Sequence, residues 1–278
     1  MNYGPATEKK IGEVVVACKR YGQNSIIALA GVPGTGKSFI AAAAAQRFAG
    51  HQTLVQEVQF HPACTYEEFV EGMRIEKGGG VHPEPGVFLD WNEKALSDPK
   101  RNYVLLIEEL TRANVPSVIG ELMTYVEYRE RSMTTVYGRK PVKVAHNLTI
   151  LATYNPTDRS AIDLDAALLR RMRILWCPPD PDQLDEMLAV RNLPAAVLAK
   201  LKGIFAAVKQ GHPADYEHAM PFGHGIFSQV TKEAPDLYDL WEERIRHLLY
   251  RPLVEPHPFS ETIRAAYPWA AGPSVTVT

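Results

Sequence analysis

Lys37 and Ser38 close the run GVPGTGKS (Gly31–Ser38), whose spacing is G-x-x-x-x-G-K-S. Such a run can grip a triphosphate. Backbone N–H groups of a glycine turn converge on phosphate oxygens at a helix N-terminus, the lysine adds charge beside the β and γ phosphates, and the serine hydroxyl offers Mg2+ a hard oxygen. Gly31, Val32, Pro33, Gly34, Thr35, Gly36, Lys37, Ser38 and Phe39 are therefore expected to bind nucleotide. Hydrolysis needs three further parts: a held metal, a group that deprotonates water, and positive charge near the leaving oxygens. Glu108 and Glu109 suit the first two, Glu108 with Ser38 toward Mg2+ and Glu109 as the base. The Asn155 amide can hydrogen-bond the γ phosphate or the attacking water. Arg170 and Arg171 are adjacent guanidinium groups, costly to bury without anionic partners; a neighbouring subunit's triphosphate would be one.

These residues need elements to carry them. Ile26–Ala30 is an apolar run before the loop and Phe39–Ala45 an alanine-rich one after it, the strand–loop–helix setting that the chemistry requires. Tyr103–Ile107 (YVLLI) is apolar without alternation, as in a strand buried on both faces. Glu108 and Glu109 close it, and we expect it beside the phosphate-loop strand, at the carboxyl ends of the sheet. Leu148–Thr153 repeats the pattern and leads to Tyr154 and Asn155, while the stretch DLDAALLRRM ends a helix at the arginine pair.

Around this frame, residues up to about Gly22 predict an amphipathic helix with Ile11, Val14, Val15 and Cys18 on one face. Leu54–Phe60 predicts a strand, Thr65–Gly72 a helix opened by Thr65, and Val115–Arg129 another helix. Met73–Trp91, with its GGG and prolines, reads as a loop or hairpin outside the core, either plain connection or a pore- or partner-facing element. Strands alternating with helices make an α/β domain with a mostly parallel sheet. Pro178, Pro179 and Pro181 mark a boundary, after which Gln183 to about Tyr250 is helical apart from the loop Gly211–Gly225, and the tail from Pro252 is irregular. The expected organisation is an N-terminal helix (1–22), a nucleotide-binding domain (23–178), and a helical lid with tail (179–278).

Composition narrows the class. An apolar fraction of 46% and a charged fraction of 22% are those of a globular protein. No run is long and apolar enough to span a bilayer, and the start MNYGPATEKK lacks a signal core, so a cytoplasmic protein without membrane attachment is expected. A net charge of −2 gives no global basic field, so contact with DNA would be indirect, through partners. Cys18, Cys64 and Cys177 form no C-x-x-C pair and read as reduced thiols, and the histidines show no metal spacing with them. Trp91, Trp176 and Trp241 read as packing anchors.

With the motifs set out, the chain resembles the AAA+ nucleoside triphosphatases, a P-loop fold of three-layer α/β sandwich followed by a small helical lid. Within them it resembles the dynein-related group and the McrB-type motor subunits of modification-dependent restriction systems. The resemblance is carried in order by GVPGTGKS, FHPACTYEEFVEG (Phe60–Gly72), YVLLIEELTRANVPSVIGEL (Tyr103–Leu122), ATYNPTDRS (Ala152–Ser160) and DAALLRRM (Asp165–Met172), with PFGHGIF (Pro221–Phe227) similar to the family's lid. It implies Walker A roles for Lys37 and Ser38, Walker B roles for Glu108 and Glu109, sensor 1 for Asn155, and arginine fingers acting in trans for Arg170 and Arg171. It further implies a homo-oligomer in the form of a hexameric ring, ATP or GTP as substrate with Mg2+, and a McrC-like nuclease partner in restriction or phage defence.

Two departures stand out. Glu108 occupies the place where the family usually has Asp, one methylene shorter, which predicts a looser or water-bridged magnesium shell and slower hydrolysis. The chain also starts almost at the motor, without the DNA-reading domain of larger family members, so target recognition is expected in another protein. Asn155 and Asp158 superficially match a guanine-reading N-x-x-D, but Asn155 closes a strand beside the γ phosphate, and the base pocket is expected before Ile26 and in the lid. A MoxR-like remodelling chaperone and a nucleotide-gated scaffold with little hydrolysis are the alternative functions.

Overall fold

The computed structural model describes residues 4–76, 78–156, 164, 166–210, 222–230, 237–251 and 255–256. Its contacts divide the chain into two compact units. One holds Glu8–Ala30 and Lys37–Trp176, and the other Met1–Thr7, Gly31–Gly36 and Cys177–Thr278.

The first unit is built on a five-stranded parallel sheet. Its strands are β1 (Ile26–Ala30), β2 (Val55–Gln59), β5 (Tyr103–Glu108), β8 (Leu148–Tyr154) and β9 (Met172–Trp176), in the order β2-β5-β8-β1-β9. The three inner strands are buried at every residue, which explains their mostly apolar runs: both faces are covered, so few positions need to be polar. Strand β2 at one edge and β9 at the other are partly exposed.

The order corrects one expectation. β5 does not lie beside the phosphate-loop strand, because β8 runs between them, paired in register with β5 (Leu105↔Ile150) and with β1 (Ala28↔Ala152). Strand β9, to which the sequence reading assigned no element beyond Met172, completes the sheet on the far side of β1 (Ala28↔Ile174). Helix α2 (Lys37–Ala49) packs on β1, β2, β5 and β8 through Ile40, Ala41, Ala44 and Ala45, small side chains that allow close approach. Helix α1 (Pro5–Tyr21) buries Ile11, Val14, Val15 and Cys18, the face its spacing foretells. Burial pushes the Cys18 thiol up to about 12, so it stays protonated, an inert core group.

Between β2 and β5 the chain differs from expectation. Helix α3 is one turn only (Tyr66–Phe69), capped by Thr65, whose hydroxyl accepts from the Glu68 N–H at 3.3 Å. It stops because the next residues enter the hairpin β3 (Glu71–Ile75) and β4 (Val81–Pro85). Pairing sets Met73, Ile75 and Val81 on one side, all exposed, and Arg74, Glu76, His82 and Glu84 on the other, where Arg74 pairs with Glu84 and His82 with Glu76. Residues 87–91 are not part of that excursion: they open helix α4 (Val87–Ser97), which buries Phe88, Leu89 and Trp91. The Trp91 indole donates to the Val104 carbonyl at 3.0 Å.

The stretch expected as one helix over Val115–Arg129 is two, α5 (Val115–Ile119) and α6 (Leu122–Glu127), parted by Gly120 at φ 55°. Asn114 caps α5, its side chain accepting from the Ser117 N–H at 3.1 Å. A second hairpin, β6 (Met133–Thr134) with β7 (Pro141–Val142), is tied by acids to the first hairpin and to α3. Glu71 accepts from the Gly138 N–H at 2.7 Å, and the Tyr137 hydroxyl donates to Glu67 at 2.6 Å. The single turn α7 (Ala166–Leu169) carries the chain to the arginine pair and into β9.

Arg129 is the largest polar side chain in this core, 2% exposed. Its guanidinium donates to the carbonyls of Val126, Ala145, Leu148 and Gly22, stapling the end of α1 to the approach to β8. Burial lowers its pKa to about 10, which still leaves it charged at neutral pH.

The second unit is helical. Helix α8 (Pro181–Ala189) starts at Asp180, whose carboxylate caps the Asp182 N–H at 2.9 Å, with Pro181 at the first position, where a missing N–H costs nothing. Helix α9 (Ala195–Gln210), a 3-10 segment (His224–Gln229) and the short helices α10 (Leu237–Leu240) and α11 (Arg246–Leu249) follow, α10 and α11 being joined by a π turn. Leu184, Leu188, Leu201, Phe205, Phe222 and Phe227 form its core. Most of the loop Gly211–Gly225, Asp158, the side chain of Trp241 and most of the tail from Pro252 lie outside the described residues. Trp176 is 39% exposed at the sheet edge, so it is not the buried anchor expected of it.

Candidate functional site

The loop from Gly31 to Gly36 has the backbone its glycines permit. Gly34 and Gly36 take φ values of +82° and +77°, where an L side chain would be strained. Val32 and Thr35 are buried, and the Thr35 hydroxyl donates to the Val32 carbonyl at 3.1 Å, closing the turn from within. The chain then enters α2 directly, so that Lys37, Ser38 and Phe39 form its first turn.

Around Ser38 the carboxyl ends of the sheet bring Glu108 of β5 and Thr153 of β8 together. The Ser38 hydroxyl donates to Glu108 Oε2 at 2.7 Å. Thr153 Oγ1 donates to that same oxygen and accepts the Glu109 N–H at 3.2 Å. One threonine of β8 thus links both acids that close β5. Two residues further along, and so on the same side of the strand, Asn155 is buried at its end. Sequence reading missed Thr153, although a threonine placed two before Asn155 in a largely apolar strand was the available sign.

Glu109 sits in the left-handed region, φ 56° and ψ 45°, unusual for a residue with a Cβ. The turn breaks β5 sharply and starts the 3-10 segment Leu110–Arg112. Arg112 Nε donates to the Glu109 carboxylate at 3.4 Å. A hydroxyl and a carboxylate in contact form the hard-oxygen donor set that suits Mg2+, so Ser38 and Glu108 fit the ion despite the longer Glu108 side chain.

The two arginines have different settings. Arg171 is held: Nε donates to Glu127 at 3.1 Å, Nη1 donates to the Ala167 carbonyl, and the side chain is 14% exposed. Arg170 is 62% exposed, with Glu127 at 3.8 Å. Glu127, which the sequence reading did not single out, anchors the pair. Among the described residues no group of histidines, cysteines and acids is placed to hold a metal by itself, and no helix is long and apolar enough to cross a membrane. The three cysteines are free thiols.

Residues 26–172 match the model of the AAA domain of the dynein-related subfamily, a span that begins with β1 and ends at the start of β9. The chain belongs to that family. Within it, the chain is 33% identical over 165 residues to the Type IV methyl-directed restriction enzyme EcoKMcrB subunit of Escherichia coli K12, a match covering 56% of this chain and 36% of that protein. It is 26% identical over 183 residues to the Type II restriction enzyme BsuMI component YdiS of Bacillus subtilis 168, covering 51% and 53%. The chain therefore spans about a third and about half of the lengths of these two relatives. A putative ATPase from Cytophaga hutchinsonii shares 20% identity at a TM-score of 0.40, covering 77% of this chain and 70% of that one. Dynein-related AAA domains are P-loop proteins, and Glu108, Glu109, Thr153 and Asn155 all fall within the matched span.

Proposed function

We propose that this AAA chain is a magnesium-dependent nucleoside triphosphatase that works as a ring, most simply a hexamer, and drives a separate nuclease subunit in restriction of foreign DNA. The observation that carries the enzymatic half is the chain of contacts Ser38–Glu108–Thr153–Glu109, which joins a metal-type donor pair to the backbone of the residue bearing a second carboxylate. In this reading the loop N–H groups and Lys37 bind the phosphates, and Ser38 and Glu108 hold Mg2+, which supplies positive charge to the phosphate oxygens. Asn155 orients the water. The Glu109 carboxylate accepts its proton as the water oxygen bonds to the γ phosphorus and the bond to the β-phosphate oxygen breaks, the electron pair staying on that oxygen. Arg170 of one subunit, exposed for the purpose, meets the charge that develops in the next, while Arg171 and Glu127 hold its helix end. The restriction half rests on the likeness to the EcoKMcrB subunit and YdiS. ATP and GTP both remain candidate substrates.

Glu109→Gln tests the base: magnesium-nucleotide binding should persist while turnover falls by about a hundredfold or more. Turnover equal to the parent's removes Glu109 from that role. Mixing Arg170→Ala with Lys37→Ala subunits should restore part of the activity that neither has alone, and no recovery at any ratio removes the trans arrangement. A second reading has one observation in its favour: the Arg112 contact on Glu109 occupies the base, as a nucleotide-gated scaffold with little hydrolysis would require. Multiple turnovers per subunit dismiss it.

A further inference from the structure

The segment Phe222–Gly225 lies against the phosphate loop within the second unit. The Gly223 N–H donates to the Pro33 carbonyl at 2.7 Å and the Gly225 N–H to the Gly34 carbonyl at 2.6 Å. Two successive carbonyls of the loop are thus taken by two alternate amides of one short strap. The approach is close enough to require glycine. A Cβ on Gly223 would stand 2.4 Å from the Gly34 carbonyl carbon and oxygen and 2.5 Å from the Thr35 nitrogen, and one on Gly225 would stand 2.8 Å from the Gly34 oxygen. All of these are backbone atoms, so no side-chain rotation could relieve the clash.

The strap is itself anchored. Phe222 and Phe227 on either side of it are fully buried in the helical core, with their rings edge-to-face at 6.3 Å. Between them His224 is 6% exposed, and its Nδ1 has no hydrogen-bond partner among the described residues. Burial lowers its pKa to about 4 although Asp180 and Glu186 oppose the shift, so it packs as a neutral ring.

We infer that Gly223 and Gly225 are positioning residues for the phosphate cradle. The peptide unit is planar and trans, so a carbonyl held in one direction sends the N–H of the next residue in the opposite one. Fixing the Pro33 and Gly34 carbonyls on the strap therefore aims the N–H groups of Gly34 and Thr35 away from it, as donors converging on phosphate must be aimed. The loop needs this support because its glycines leave the backbone free to turn either way. The strap sets the affinity for the triphosphate and leaves the hydrolytic groups on the sheet untouched. This inference rests on the reading that the loop holds a triphosphate.

The test is a graded series of Gly→Ala variants in the full chain, titrated with a fluorescent ATP or GTP analogue and magnesium and assayed for steady-state turnover. Gly203→Ala, on α9 with nothing within 4 Å of its added Cβ, is the control and should match the parent. Gly225→Ala should bind severalfold more weakly, and Gly223→Ala by about tenfold or more, the equivalent of misplacing a well-packed backbone segment. In both, KM should rise more than kcat falls. Equal affinity in Gly223→Ala and the parent overturns the strap, as does a loss confined to kcat. If Gly223→Ala does not fold, Gly225→Ala decides by the same readouts. A parent that binds neither nucleotide overturns the triphosphatase reading itself, which is a different outcome from a binding parent with an indifferent strap.

Discussion

Glu109 combines the assigned base with a left-handed backbone, and the two can be separated by substitution. An L residue in that region costs about 1–2 kcal/mol, which glycine avoids while giving back about 0.5–1 kcal/mol in unfolded-chain entropy. Glu109→Gly should therefore be more stable than Glu109→Gln by about 1 kcal/mol, a rise of about 2–4 °C in melting temperature for a domain of this size. The glutamine variant is the right reference because both substitutions remove the carboxylate contact with Arg112, worth at most about 1 kcal/mol at an exposed site. Only the backbone term then separates them. Scanning calorimetry of the two proteins without nucleotide measures the difference, and both should be inactive in turnover. A Glu109→Gly protein that melts at or below Glu109→Gln would refute the idea that this turn stores strain at the proposed base.

Arg129→Met should cost about 2–4 kcal/mol in urea unfolding, because carbonyls of Val126, Ala145, Leu148 and Gly22 lose their donors inside the core. Arg129→Lys should recover only part of that, since an ammonium has three donors and no fork; full recovery would contradict the staple. The His224 pKa falls from 6.5 unfolded to about 4 folded, so between those values the unfolded chain binds more protons and stability declines as pH falls. The loss should reach about 3 kcal/mol by pH 4, and His224→Leu should flatten that part of a pH–stability profile. Asp180 and Glu186 also face this histidine. Although burial raises the Glu186 pKa, the bonds from Ala6 and Thr7 hold it below its ordinary value, so its share is lost only at lower pH. An unchanged profile in the leucine variant would count against the buried neutral ring.

The parts of the fold legible in the sequence were those with a local cause. Ile26–Ala30 and Tyr103–Ile107 announce themselves because a strand covered on both faces needs no polar position to break the run, and Leu148–Thr153 is interrupted only by Thr149 and Thr153. The loop residues carry their own spacing. Strand order was not legible, since nothing local in LTILAT says that it will sit between the other two. The Val115–Arg129 stretch hid a break at Gly120, where the helical spacing continues but the backbone turns to positive φ. At the candidate site, Glu108, Glu109 and Asn155 were singled out from their places at strand ends, whereas Thr153 and Glu127 show only through partners far away in sequence. Arg129 is the extreme case: only the assembled core shows four carbonyls converging on one surface-type residue.

The place of β8 has a mechanical consequence. Being hydrogen-bonded along both sides, it cannot slip by a residue without breaking two ladders and turning its inward side chains out. Thr153 therefore rides on the central strand of the sheet, with Asn155 just past its end, and in the proposed triphosphatase gain or loss of a phosphoryl group is not answered by that strand moving alone. Displacement must instead pass to the turn after Glu108 and the 3-10 segment it opens, while the sheet serves as the fixed bed against which they shift.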